Sequence, residues 1–195
     1  MLGGDPAIDF INTASDWASG DPADRLGGPA GYVDWAETAG LIGPLEALRL
    51  KKEIAARGVV AAEVFKTAAA LRAALRRVFA AAARGARVDP ADLAFLKNLA
   101  CRARSFRDLA QTDHGFEERW TSDAPSLETP LLEIALAAER LLKEGPLDRI
   151  RKCGGCEWMF LDLSKNGSRR WCSMATCGNS AKVKKFRTRT KAAVS

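Results

Sequence analysis

One histidine and one tyrosine in 195 residues leave little room for the commoner hydrolytic sites. A Ser-His-acid triad or a histidine-based metal centre would have to rest on His114 alone. That residue lies in Asp113-His114-Gly115, a turn-forming run. Neither G-x-G-x-x-G nor G-x-x-x-x-G-K-[ST] occurs, so no phosphate-cradling loop is encoded. No enzyme is expected. Apolar stretches are interrupted by Arg, Lys or Glu well before the ~18 residues a membrane span needs. The opening Met1-Leu2-Gly3-Gly4-Asp5-Pro6 carries neither the basic region nor the apolar core of an export signal. A cytoplasmic protein away from membranes is therefore expected.

What is present matches a folded globular chain: 47% hydrophobic and 28% charged residues. At ~150 residues per domain, the length allows one full domain plus something small. The net charge of +6 is unevenly spread. Residues 148–195 hold twelve Lys or Arg against three acids, a formal +9, and the preceding 147 residues carry −3. A mildly acidic body with a strongly basic end suggests that the end meets a polyanion.

Four of the five cysteines fall in that basic end, as Cys153, Cys156, Cys172 and Cys177, spaced C-x2-C-x15-C-x4-C. Cytosolic thiols stay reduced, which argues against disulfides. Two close pairs about fifteen residues apart have the spacing of a tetrahedral four-cysteine Zn2+ site. A single C-x2-C can be a redox dithiol, but the second pair favours metal. The fifth, Cys101, stands in an apolar helical stretch and reads as a small buried hydrophobe.

Before residue 147 the pattern is helical. Asp5-Pro6 and Asp89-Pro90 read as N-caps followed by proline at the first helical position. Helices are expected just after residue 6, around residues 32–36 ending near Gly40, and from Pro44 to Arg57. Val64, Ala68, Leu71, Leu75, Val78 and Ala82 recur at steps of four and three and share one helix face, which Gly85 ends. Leu93, Leu96 and Ala100 follow on another helix. Phe106, Phe116 and Trp120 flank Thr112-Asp113-His114-Gly115, which predicts a small antiparallel hairpin. Leu127 to Leu141 returns to helical steps, closed by Gly145-Pro146. The fold class is mainly α: a helical domain over residues 1–147 with a small β-hairpin, then a four-cysteine module over 148–195.

That module is too small to fold by burial alone, so metal binding supplies much of its stability. Cys153-Gly154-Gly155-Cys156 forms its knuckle. The segment from Glu157 to Leu163 is expected as one strand, Asn166-Gly167 as the turn, and Ser168 to Trp171 as the second strand. A last helix is expected from about Cys177 to residue 190. Arg169 and Arg170 precede the third cysteine. Lys182, Lys184, Lys185, Arg187 and Arg189 follow on the helix, with 182, 185 and 189 on one face and 184 and 187 on an adjoining one. These seven are the candidate contacts to nucleic-acid phosphates.

The run Cys153-x2-Cys156-x3-Phe160-x-Asp162-x-Ser164, then Arg169-Arg170-Trp171-Cys172-Ser173-Met174-x2-Cys177-Gly178-Asn179, closely resembles the CGNR zinc finger. Ile8-Asp9-Phe10-Ile11-Asn12-Thr13 is similar to the L-D-F-x-N-T signature of the ABATE domain, and Leu71-Arg72-x-Ala74-Leu75 to its central helix. Together the two resemblances cover nearly the whole chain. They imply a bacterial transcription regulator induced by stress, with a finger that binds double-stranded DNA and a domain that senses a small molecule or forms a homodimer. The chain departs from the motif at residue 180, where Ser replaces the namesake Arg; Lys182 and Lys184 are placed to compensate.

Asp9 and Asn12, three apart amid Ile8, Phe10 and Ile11, read as a polar pair for a ligand or as partners for backbone groups that fix the first helix. Arg72 reads as a partner for an acid or an anionic ligand. The expected function is a zinc-dependent DNA-binding regulator with Asp9, Asn12 and Arg72 as effector contacts. The alternative is a zinc-finger adaptor that binds protein or RNA.

Overall fold

The computed structural model describes residues 2–17, 22–124 and 126–184. Helix α1 spans Pro6–Ile11, with the Asp5 carboxylate accepting the Ala7 N–H at 2.8 Å. After a short strand pair (β1, Ala14–Ser15; β2, Ala23–Asp24) come α2 (Pro29–Thr38) and α3 (Pro44–Ala56). The 25-residue α4 (Gly58–Ala82) is the longest of these. It buries Ala68, Leu71, Leu75 and Val78, the stripe the periodicity predicts. Helix α5 (Pro90–Arg104) starts at an Asp89 cap and α6 runs Thr129–Glu144. Proline opens α1, α2, α3 and α5, where its missing N–H costs nothing.

Between α5 and α6, β3 (Arg107–Thr112) and β4 (Gly115–Trp120) form the expected hairpin, and His114 is exposed in its turn. Cys101 is exposed, which corrects the buried reading. On α5 the inward face is Leu96, Leu99, Ala100 and Ala103, and position 101 falls on the other side.

The four-cysteine end differs in one strand from expectation. Its two short strands are β5 (Ile150–Lys152) and β6 (Met159–Leu161), paired antiparallel. Residues 168–171 form no strand. A wide π-type turn over Met174–Gly178 follows, leading into a helix at residues 179–184.

One core joins the two parts. Ile150, Met159 and Leu161 are buried in the same cluster as Ile8 and Phe10 of α1, Leu75 of α4 and Leu131 of α6. The outward edge of β6 is covered as well. The Leu161 N–H donates to Gly3 O at 2.7 Å, and Asn12 pairs with both backbone polar groups of Met159.

Candidate metal centre and nucleic-acid interface

Cys153 follows β5 directly, and its N–H donates to Trp158 O at 2.8 Å, which closes the knuckle. A Cβ on Gly154 would meet the Trp171 ring at 2.9 Å, and one on Gly155 would meet Cys177 Cβ at 3.1 Å. The two glycines are there because the returning chain lies against them. This brings the four sulfurs together, all within 4.8 Å of one another. Cys172 Sγ lies 3.7 Å from both Cys156 Sγ and Cys177 Sγ. Ligands about 2.3 Å from a tetrahedral zinc stand about 3.8 Å apart, whereas a disulfide requires about 2.05 Å. Soft thiolate donors, free of disulfides and at this spacing, fit Zn2+.

Backbone dipoles support the charge such a site requires. Cys153 Sγ accepts N–H groups from Cys172 at 3.3 Å and Gly155 at 3.4 Å. Burial pushes the Cys153 thiol up, but these donations, together with hydrogen bonds from the Cys156 and Cys172 thiols, outweigh it and bring it down to about 7. Burial is the main cause that raises Cys156, and it raises Cys172 together with the hydrogen bonds of neighbouring thiols. The centre therefore favours a thiolate at Cys153 and resists one at Cys156 and Cys172 until a cation compensates.

Asp162 holds the segment between the two cysteine pairs. Its carboxylate accepts the Ser164 hydroxyl at 2.6 Å, the Ser164 N–H at 3.0 Å and the Arg169 N–H at 2.9 Å. The Ser164 hydroxyl is the largest influence, and together these partners hold the carboxyl below its ordinary value. Arg169 is tied down similarly. Its guanidinium donates to Trp171 O at 3.0 Å, to Leu2 O at 3.1 Å and to Cys172 O, and it lies 4.4 Å from the Phe160 ring centre.

The candidate phosphate contacts thus separate. Arg170 is exposed beside Trp171, at 5.4 Å from its ring, and Lys182 and Lys184 are exposed on helix 179–184. Lys185, Arg187 and Arg189 lie outside the described residues. A groove of about 450 Å³ beside Arg170 is lined by Arg169, Arg170, Trp171, Ser164, Ser168 and Ser173, and its lining includes neither Lys182 nor Lys184. Ser180, at the motif's arginine position, is exposed on the same helix.

Asp9, Asn12 and Arg72 are buried, and each makes hydrogen bonds within the chain. Asp9 accepts the N–H groups of Leu2 at 3.0 Å and Gly3 at 2.8 Å. Asn12 donates to Met159 O at 2.8 Å and accepts the Met159 N–H at 2.9 Å. Arg72 donates to Thr13 Oγ1 at 2.8 Å and pairs with Asp24. Asp9 and Asn12 also border a shallow groove of about 440 Å³ with Trp35 and Trp158, which Arg72 does not reach.

A family model described as "Putative stress-induced transcription regulator", named ABATE, matches residues 4–145. The chain belongs to the ABATE family. The CGNR zinc finger model matches residues 149–190, so the four-cysteine cluster is that of a CGNR finger. No curated protein matches the sequence. Among the described residues no helix is long and apolar enough to cross a membrane.

In this ABATE chain, the signature over residues 8–13 adjoins the finger. Asp9 fastens the opening residues Leu2 and Gly3, and Asn12 and Gly3 cap the free edge of β6. Sequence reasoning missed Asp162 and Glu157 as organising groups. Glu157 accepts the Trp17 N–H at 2.9 Å, and its carbonyl accepts Arg76 at 3.1 Å. A lone acid within a cationic segment was the available signal at both positions.

Proposed function

We propose that this chain is a zinc-dependent regulator that binds double-stranded DNA in the cytoplasm, with no catalytic activity, and that its helical part (1–147) senses a small molecule and passes the response to the finger (148–195). The observation that supports the DNA reading most is the finger face: exposed Arg170 on a groove lined by Ser168 and Ser173, with exposed Lys182 and Lys184 on the helix that follows. Cations position a phosphate backbone and hydroxyls add hydrogen bonds to it. Cys153, Cys156, Cys172 and Cys177 act as the zinc ligands, and the metal's part is to hold this face in shape.

Within this reading, Arg169 braces the finger, because its donors serve Leu2, Trp171 and Cys172. Arg170, Lys182, Lys184, Lys185, Arg187 and Arg189 carry the phosphate contacts. Asn12, bonded to Met159, joins the two parts, while Asp9 and Arg72 brace the helical side of that joint through Gly3, Thr13 and Asp24 and act on an effector response there.

The test is binding of the zinc-loaded chain to random duplex DNA and to single-stranded RNA across a salt series. Five neutralised phosphates give a log–log slope of about −4 to −5, and Arg170→Ala/Lys182→Ala should reduce it by about 2. Preference for single-stranded RNA, or a flat slope with zinc bound, overturns the DNA reading in favour of the adaptor.

A further inference from the structure

A second concave surface lies away from the finger's serine-rimmed groove, where α4 meets β5. It has a volume of about 430 Å³, within the ordinary range for small-molecule sites. Its walls are the cations Arg76, Arg84, Arg151 and Lys152, with no carboxylate among the lining residues. Its floor is apolar, formed by Ala80, Ala83, Ile150 and Met159. Arg76 and Arg151 are braced: Arg76 donates to Glu157 O at 3.1 Å and lies 4.8 Å from the Trp17 ring, and Arg151 donates to Asp148 O at 2.5 Å. Arg84 and Lys152 are exposed, and neither makes an ion pair among the described residues.

We infer that this groove binds a small organic anion, an apolar or aromatic body carrying an acidic group, and that it is the effector site of the protein. This rests on the sensing half of the function proposed above. The α4 C-terminus places roughly half a negative charge nearby and the Glu157 carboxylate stands 4.0 Å from Arg76, and the remaining cations Arg84, Arg151 and Lys152 outweigh the helix end. A phosphate backbone would leave the apolar floor wet, whereas an amphipathic anion covers the floor and neutralises the rim together. Such a ligand touches α4 on one side and β5 on the other. It can therefore differ in affinity between arrangements of the two parts, which is what a shift in their equilibrium requires.

The probe is 1-anilinonaphthalene-8-sulfonate, an aromatic sulfonate, titrated by fluorescence into the zinc-loaded full chain, with duplex binding measured on the same samples. Arg84→Glu/Lys152→Glu should weaken the probe by at least about ten-fold, and the milder Arg84→Gln/Lys152→Gln by about three-fold or more. Arg170→Ala should leave the probe's affinity unchanged while lowering duplex affinity. Saturable probe binding lost in both groove variants, with zinc content and helicity preserved, supports the site. If the glutamate pair does not fold, the glutamine pair alone decides. Absent binding, affinity unchanged in the folded groove variants, or displacement of the probe by duplex in step with lost duplex binding in those variants overturns it. Probe binding of the expected pattern in a chain that binds no duplex leaves the anion site standing and rejects the DNA reading instead.

Discussion

Met159 presents a backbone N–H and C=O on an edge of β6 that no strand covers, and the Asn12 side chain meets both, at 2.9 and 2.8 Å. A carboxamide matches this edge because it offers one donor and one acceptor side by side, as a backbone peptide does. Removing it leaves two buried polar groups unpaired, at about 1–3 kcal/mol each. Asn12→Ala should therefore destabilise the folded chain by about 2–6 kcal/mol in urea denaturation at fixed zinc. Asn12→Asp should be no better, since it keeps the acceptor for Met159 N–H but turns a carboxylate oxygen on Met159 O. A cost well below 1 kcal/mol for the alanine variant would mean that water replaces the amide and that the joint does not depend on it.

Among the elements, the β3–β4 hairpin is held at its base by Phe106 and Trp120 packed on the core and by polar bonds to α6. Two-stranded hairpins are marginal on their own in water, and this one exposes Leu109 and Phe116. At its base, Arg107 on β3 and Trp120 on β4 both reach Glu133 of α6, at 2.5 and 2.9 Å. Burial raises the Glu133 carboxyl above 4.5, opposed by Arg107 and by the Trp120 N–H. A raised folded value means that this group's contribution is fullest below the unfolded value and is lost as pH rises through the folded one. The stability of Glu133→Gln relative to the native chain should accordingly increase with pH from about 4 upward; a difference independent of pH would show that Glu133 titrates normally. The hairpin itself was legible because aromatic residues flank a turn-forming run. The helices were legible through proline after a cap and through the period of α4. The second finger strand was misplaced for a physical reason. Asn166-Gly167 does make a turn, with Gly167 at φ 58°, but the backbone on either side wraps around Asp162 instead of pairing. The true partner, Ile150-Arg151-Lys152, has two charges in three residues and looks like a linker. The joint was half legible: Asp9 and Asn12 stood out as a polar pair in an apolar run, but the partner of Asn12 lies 147 residues away.

At the scale of the whole molecule, the strands that carry the sulfur cluster are buried in the helical core, so the two should unfold together. The strands that position Cys153 also bury Ile150, Met159 and Leu161 against α1, α4 and α6. The opening residues are held by both sides, through Asp9 at one end and through Leu161 and Arg169 at the other. Without metal, four neighbouring thiolates cannot all ionise, and the small finger loses the energy that folds it. Unfolding it would expose three large apolar side chains worth about 1.5–3 kcal/mol each, or about 5–9 kcal/mol together. That is comparable with the whole stability of an ordinary domain, about 5–15 kcal/mol. Chelation should therefore lower the melting temperature of the entire chain by at least about 10 °C, since a protein of this size shifts about 2–4 °C per kcal/mol. Calorimetry should show a single transition with and without chelator, and amide exchange in α1 should quicken on zinc removal. Two transitions, of which chelation moves only one, would make the finger an independent module. An effector at the α4–β5 seam would then have no rigid path to the groove lined by Arg170 and the serines.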